Sequence, residues 1–183
     1  MKRFVFDAGP FILLFTREQG SELARKAVLQ HEGGRSEIFI HPNCLSEAYN
    51  VMVRVKREKP HLLARDVDPA VVIRSAYATL RVVQDETTTL NLGILKSKYK
   101  GVPWGDLSSA ALAMRLSDRE KVPVVILDRE RHFKEITEVE SLPSPRIAEQ
   151  LPIQNSQVLA GVAQPHLSLH PFGRSRRTLP RPR

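Results

Sequence analysis

The chain has one cysteine, Cys44, so no disulfide forms within it, and a fold held together by such bonds is excluded. A reducing, cytoplasmic setting is the matching expectation. No apolar run approaches the ~20 residues of a membrane-spanning helix. The longest, Pro10–Phe15, has the length of a core segment, so no membrane association is expected. Met1-Lys2-Arg3 is followed by Phe4-Val5-Phe6-Asp7, and the acid arrives before a secretory hydrophobic region can form. The histidines are scattered, with no pair at zinc spacing. Gly33-Gly34 belongs to neither a dinucleotide fingerprint nor a Walker loop, which removes nucleotide-binding folds of those kinds. No internal repeat is present.

With 183 residues, 42% hydrophobic and 26% charged, the composition is that of one globular domain with length to spare. The net charge is +8, and it is unevenly placed. From Pro143 onward six arginines face one acid, Glu149, for a net of +5, which leaves +3 on the first 142 residues. Basic charge favours contact with phosphate backbones, but +3 on a domain is a weak pointer. Seven of the 13 prolines also fall from Pro143 onward. Two segments are therefore expected: a folded domain over 1–142, and a proline- and arginine-rich, largely disordered tail over 143–183. Within that tail a short helix is expected over Leu151–Val162, and disorder over Gly173–Arg183.

Hydrophobic periodicity organises the first segment. Lys2–Asp7 reads as a buried strand stopped by Gly9-Pro10, and Phe11–Phe15 begins a helical turn. Ser21–His31 is a helix ended by Gly33-Gly34. Glu37–His41 is a second strand. Pro42-Asn43 opens a helix to about Lys56, with Leu45, Tyr49, Met52 and Val53 on one face. A helix from Asp68-Pro69 to about Thr79, a strand over Leu80–Val83 and a helix over Asp85–Lys98 follow. Thr87-Thr88-Thr89 is read as the start of that last helix, not as a phosphate site. Gly101–Trp104 reads as a turn, with the one tryptophan taken as its anchor in preference to a residue at the rim of a site. Asp106–Glu120 is a helix carrying Leu107, Ala110, Ala111 and Met114 at i, i+3, i+4 and i+7. Val122–Leu127 is the continuous apolar run of a strand covered on both faces. A last helical turn holds Phe133 and Ile136. Alternating strands and helices predict an α/β fold, a three-layer α/β/α sandwich around a parallel sheet of about four to five strands.

The acids fall in telling places on this scaffold. Asp7 ends the first strand, Glu47 lies early in the helix after the second, Asp106 opens a helix, and Asp128 and Glu130 follow the fourth strand. Open parallel sheets bind ligands beyond the carboxyl ends of their strands, where these acids can converge. Clustered carboxylates suit Mg²⁺ or Mn²⁺, ions that activate water for phosphodiester cleavage. Each acid also admits a purely structural role. Asp106 can be a helix cap, Glu47 a solvated helix residue, and Asp128-Arg129-Glu130-Arg131 an exposed charged loop. Asp7 has no evident packing role. Cys44 has no base signature around it and is expected to be packed. His132 is read as an exposed loop residue in preference to a proton shuttle.

The run Phe4-Val5-Phe6-Asp7-Ala8-Gly9-Pro10-Phe11 resembles the opening of PIN domains, where a strand ends in Asp and an apolar helix begins. Leu45-Ser46-Glu47-Ala48-Tyr49-Asn50 is similar to the second motif of that family, and Trp104-Gly105-Asp106-Leu107-Ser108-Ser109-Ala110 to the third. Ile126-Leu127-Asp128-Arg129-Glu130-Arg131-His132-Phe133 is similar to the fourth, with a departure. The family pattern has Thr or Ser, any residue, Asp, two residues and Phe. Anchored on Phe133, that pattern puts Glu130 at the Asp position and Asp128 at the Thr/Ser position, so either acid is a candidate fourth ligand. The resemblance covers about residues 1–140.

The resemblance implies a Mg²⁺- or Mn²⁺-dependent endoribonuclease with Asp7, Glu47, Asp106, Asp128 and Glu130 as catalytic acids. The metal ligands would be Asp7, Glu47, Asp106 and Asp128. It further implies a single-stranded RNA substrate, a VapC-type toxin with a protein antitoxin, and a homodimer to which the helix over 43–56 contributes. The alternative is a catalytically impaired PIN-fold module that binds RNA or protein.

Overall fold

A computed structural model describes residues 2–18, 20–117, 121–126 and 131–143. Five strands, β1 (Lys2–Phe6), β2 (Ser36–Ile40), β3 (Arg81–Val82), β4 (Val124–Ile126) and β5 (Ser141–Pro143), form one sheet in the order β3-β2-β1-β4-β5. Every neighbouring pair is parallel. The helices are α1 (Ala8–Leu13), α2 (Ser21–Glu32), α3 (Pro42–Glu58), α4 (Pro69–Thr79), α5 (Glu86–Lys98) and α6 (Trp104–Leu116).

Side chains alternate across a strand, so each strand feeds two cores. Phe4, Phe6 and Val125 pack with Phe11, Leu45, Met52, Val72 and Ala76 of α1, α3 and α4. Val5, Val124 and Ile126 pack with Leu95 of α5 and Leu107, Ala111 and Leu112 of α6. Helices thus cover both faces of the sheet, which is why the central strands carry unbroken apolar runs.

Local chemistry sets the helix starts. Asp68 accepts from the backbone N–H of Ala70 and Val71, with Pro69 in the first turn of α4. Asp85 accepts from the Thr88 N–H and hydroxyl, so the threonine run does open α5. His41 caps α3 by accepting from the Asn43 N–H at 3.1 Å. Burial lowers the pKa of His41, which favours the neutral ring that this acceptor role needs. Gly34, with φ of 68°, takes the left-handed conformation that ends α2.

Four expectations shift. α1 begins at Ala8, directly after the strand, not at Phe11. The turn expected over Gly101–Trp104 gives way to helix at Trp104, since extended Pro103 caps α6 and its carbonyl accepts from Leu107 N–H. α6 ends at Leu116, where Ser117 turns back, its hydroxyl donating to the Ala113 carbonyl and accepting from Val122 N–H. β5 is an edge strand that periodicity does not reveal, because it spans three residues and includes a proline, tolerated only at an edge. The tail expectations, including Leu151–Val162 and Gly173–Arg183, lie outside the described residues. Among the described residues no helix is long and apolar enough to cross a membrane.

Candidate functional site

β1 has β2 on one side and β4 on the other, and the chain runs outward to β3 before returning to β4. The strand order therefore reverses between β1 and β4, where open α/β sheets form their binding crevice. Asp7 sits there. Its N–H donates to Val125 O at 3.1 Å, extending the β1–β4 ladder by one bond and fixing the residue at the strand end.

The Asp7 side chain is buried. Ser109 Oγ donates to Asp7 Oδ1 at 2.7 Å. Behind it, Cys44 Sγ lies 3.0 Å from Ser109 Oγ. Burial, and next the charge of Asp7, push the Cys44 thiol well above its ordinary pKa. It stays protonated and donates to Ser109, which frees the Ser109 hydroxyl proton for Asp7. Cys44 is thus packed, as expected, and is no nucleophile.

α6 supplies both Ser109 and, one turn earlier, Asp106. Its first turns are lined with Gly105, Ser108, Ser109, Ala110 and Ala111, all buried, so the helix approaches the sheet closely. Gly105 meets Glu47 of α3: a Cβ added at position 105 would collide with Glu47 Oε2. The Asp106 side chain is 12% exposed, and its Oδ2 is 2.9 Å from Nδ1 of the half-exposed His132.

The electrostatics tie the three acids together. Asp7 is raised from its ordinary 3.8 to about 6, first by burial, against the opposing Ser109 hydrogen bond, and then by the charge of Asp106. Glu47 opens to solvent, yet loss of hydration and then the charge of Asp7 raise it. Asp106 is also raised, chiefly by burial, with His132 opposing and the Glu47 charge adding. Three carboxylates thus repel one another at one sheet end. None forms a salt bridge to Lys or Arg among the described residues. Hard oxygen donors with no Lys or Arg partner among the described residues have the donor chemistry of a Mg²⁺ or Mn²⁺ site. Among the described residues no group of three or more His, Cys, Asp or Glu side chains stands placed to hold a metal ion.

Of the sequence candidates, Asp7, Glu47 and Asp106 come together, while Asp128 and Glu130 lie outside the described residues. His132, read from sequence as an exposed loop residue, touches Asp106. Trp104, read as a turn anchor, is 54% exposed. It lines a cleft of about 450 Å³ with Asn43, Ser46, Glu47, Asn50 and Arg54. Ser109 carried no sequence signal, because its partner is 102 residues away.

A doubly covered parallel sheet with acids at its switch point defines a PIN-like α/β fold. Solved structures share it. VapBC2 from Rickettsia felis, bound to a DNA fragment from their promoter, matches with a TM-score of 0.55 and 12% identity, over 77% of this chain and 98% of that one. VapBC-1 from nontypeable Haemophilus influenzae matches with 0.50 and 13%, over 78% and 98%. PAE2754 from Pyrobaculum aerophilum matches with 0.51 and 16%, over 81% and 97%. At these identities the likeness is one of fold, a PIN-like α/β sandwich. No family model and no curated protein sequence matches the chain.

Proposed function

We propose that this protein is a metal-dependent endoribonuclease with Asp7, Glu47 and Asp106 as metal-binding acids. The observation that carries the reading is their mutual repulsion at the switch point of the sheet, with no salt bridge to Lys or Arg among the described residues. Asp128 and Glu130 remain the candidates for a fourth acid. Bound Mg²⁺ or Mn²⁺ would supply a water of lowered pKa and charge stabilisation for a phosphodiester leaving oxygen. The chain's own residues prepare the site. Ser109 fixes the rotamer of Asp7, Gly105 leaves room for the Glu47 carboxylate, and His132 holds Asp106.

The two VapBC neighbours motivate the rest of the reading: a cytoplasmic toxin paired with a protein antitoxin. Tyr49 and Val53, one turn apart on α3 and about 40% exposed, would join a homodimer surface. A second reading is a PIN-fold module that binds RNA or protein without cutting, favoured by the departure of Asp128-Arg129-Glu130 from the fourth motif. Incubation of unstructured and hairpin RNA with the protein, in Mg²⁺, Mn²⁺ or chelator, separates the two. Metal-dependent cleavage of the unstructured RNA, abolished in Asp106→Asn, is expected. RNA binding without cleavage in either metal would leave the module.

A further inference from the structure

The cleft beside the acids is built from one face of α3 and the first turn of α6. Asn43, Ser46, Glu47, Asn50 and Arg54 recur at helical spacing, so they form a single stripe leading away from the acids. Arg54 lies two turns beyond Glu47, roughly 10 Å along the helix axis at ~1.5 Å per residue. It is exposed and forms no salt bridge among the described residues, although Glu58, one turn on, feels its charge. The opposite wall is Trp104. Lys96 Nζ stands 5.2 Å from the indole centroid. That ammonium is held in place, donating to the carbonyls of Lys100 at 3.0 Å and Val102 at 2.8 Å. The ring is thus steadied from one side while 54% of the residue stays exposed. An exposed, steadied indole beside exposed amides and an arginine is not a core feature.

We propose that this cleft is a substrate subsite for single-stranded RNA, in which an unpaired base stacks on Trp104 and Arg54 holds a backbone phosphate. The inference rests on the nuclease reading above and assigns the strand a path, along α3 into the acid site. Stacking needs a base freed from its duplex, so the subsite selects unpaired RNA. Every base has a π-face, so Trp104 contributes affinity without choosing a sequence. Amide groups at the stripe, Asn50 foremost, are the candidates for reading base edges.

Trp104 is the chain's one tryptophan, which makes its emission a reporter of this cleft alone. The experiment titrates full-length protein with fluorescein-labelled oligoadenylate in Mg²⁺ and in chelator, following indole emission and fluorescein anisotropy together. The same strand in a duplex is the control. Saturable quenching by the single strand and little by the duplex is expected. Trp104→Ala should weaken binding roughly 5- to 150-fold, with Trp104→Phe keeping most of the affinity. Arg54→Ala should weaken binding and reduce the salt slope by about one. If the oligonucleotide binds and is cut while emission is unchanged and Trp104→Ala binds like the wild type, the subsite is refuted and the nuclease reading stands. If folded protein neither binds nor cuts RNA, both fall. If emission responds to a protein partner and not to RNA, the cleft is a protein-docking site and the proposal is wrong.

Discussion

Replacing Asp7 with asparagine should make this protein more stable while removing its metal-dependent activity. Asp7 is buried, and its pKa in the folded chain is about 6, against an ordinary 3.8. The folded state therefore binds the proton more tightly than the unfolded state. Wild-type stability is favoured below pH 3.8 and declines as pH rises from there through about 6. Ionising Asp7 costs the fold about 2 kcal/mol at pH 5 and about 3 kcal/mol at pH 7, by the linkage relation. Asparagine imitates the protonated acid, and its carbonyl still accepts from Ser109. The Asp7→Asn variant should gain up to ~3 kcal/mol at pH 7, roughly 6–12 °C in melting temperature for a chain of this size. The advantage should shrink as pH falls toward 5. Metal should close the gap from the other side. At one hundred times its dissociation constant, Mn²⁺ would return ~2.7 kcal/mol to the wild type and little to the variant. Urea unfolding of both proteins from pH 5 to 8, with and without Mn²⁺, measures all of this. A variant no more stable than the wild type at pH 7, with no pH dependence in the difference, would refute the claim that the fold holds an uncompensated carboxylate there.

Two further substitutions probe other points. Gly105→Ala puts a methyl group where Glu47 Oε2 now lies, and the flexible carboxylate must swing away. Thermal stability should change by less than about 1 kcal/mol, while Mn²⁺ affinity by calorimetry falls roughly 10- to 100-fold. Unchanged affinity would take Glu47 out of the ligand set. Glu138 is pushed up by partial burial, but hydrogen bonds from Lys98 Nζ at 2.6 Å and Tyr99 OH at 2.7 Å outweigh it and hold it at about 2. A depressed carboxylate contributes stability above its ordinary 4.5 that is lost as pH falls toward 2. Glu138→Gln should melt lower than the wild type at pH 7, with the gap narrowing in acid. A gap that stays constant with pH would mean the loss is not electrostatic.

The layered architecture was legible because it rests on short-range patterning. Phe4-Val5-Phe6 and Val124-Val125-Ile126 are apolar on both strand faces, and that alone calls for helices above and below a parallel sheet. Asp68 and Asp85 announce their helices from within three residues. β5 was not legible, since three residues carry no period and its pairing partner β4 lies across a loop. The same limit applies to α6, whose first turn follows from the backbone of Pro103 and not from an apolar repeat.

For the candidate site, the sequence by itself determined which acids stand at element ends. Asp7 follows a buried strand, and Glu47 and Asp106 lie near helix starts, all local facts. Only the tertiary structure decided what surrounds them. Ser109 reaches Asp7, His132 reaches Asp106, and Gly105 makes room for Glu47, because β1, α3 and α6 meet where the strand order reverses. The same meeting turned Trp104 from a presumed turn anchor into a cleft wall. Side-chain partners 26 to 102 residues apart leave no trace in local periodicity. Hydrogen bonds and carboxylate repulsion act over a few ångströms of space, so they exist only once packing has brought those distant residues together.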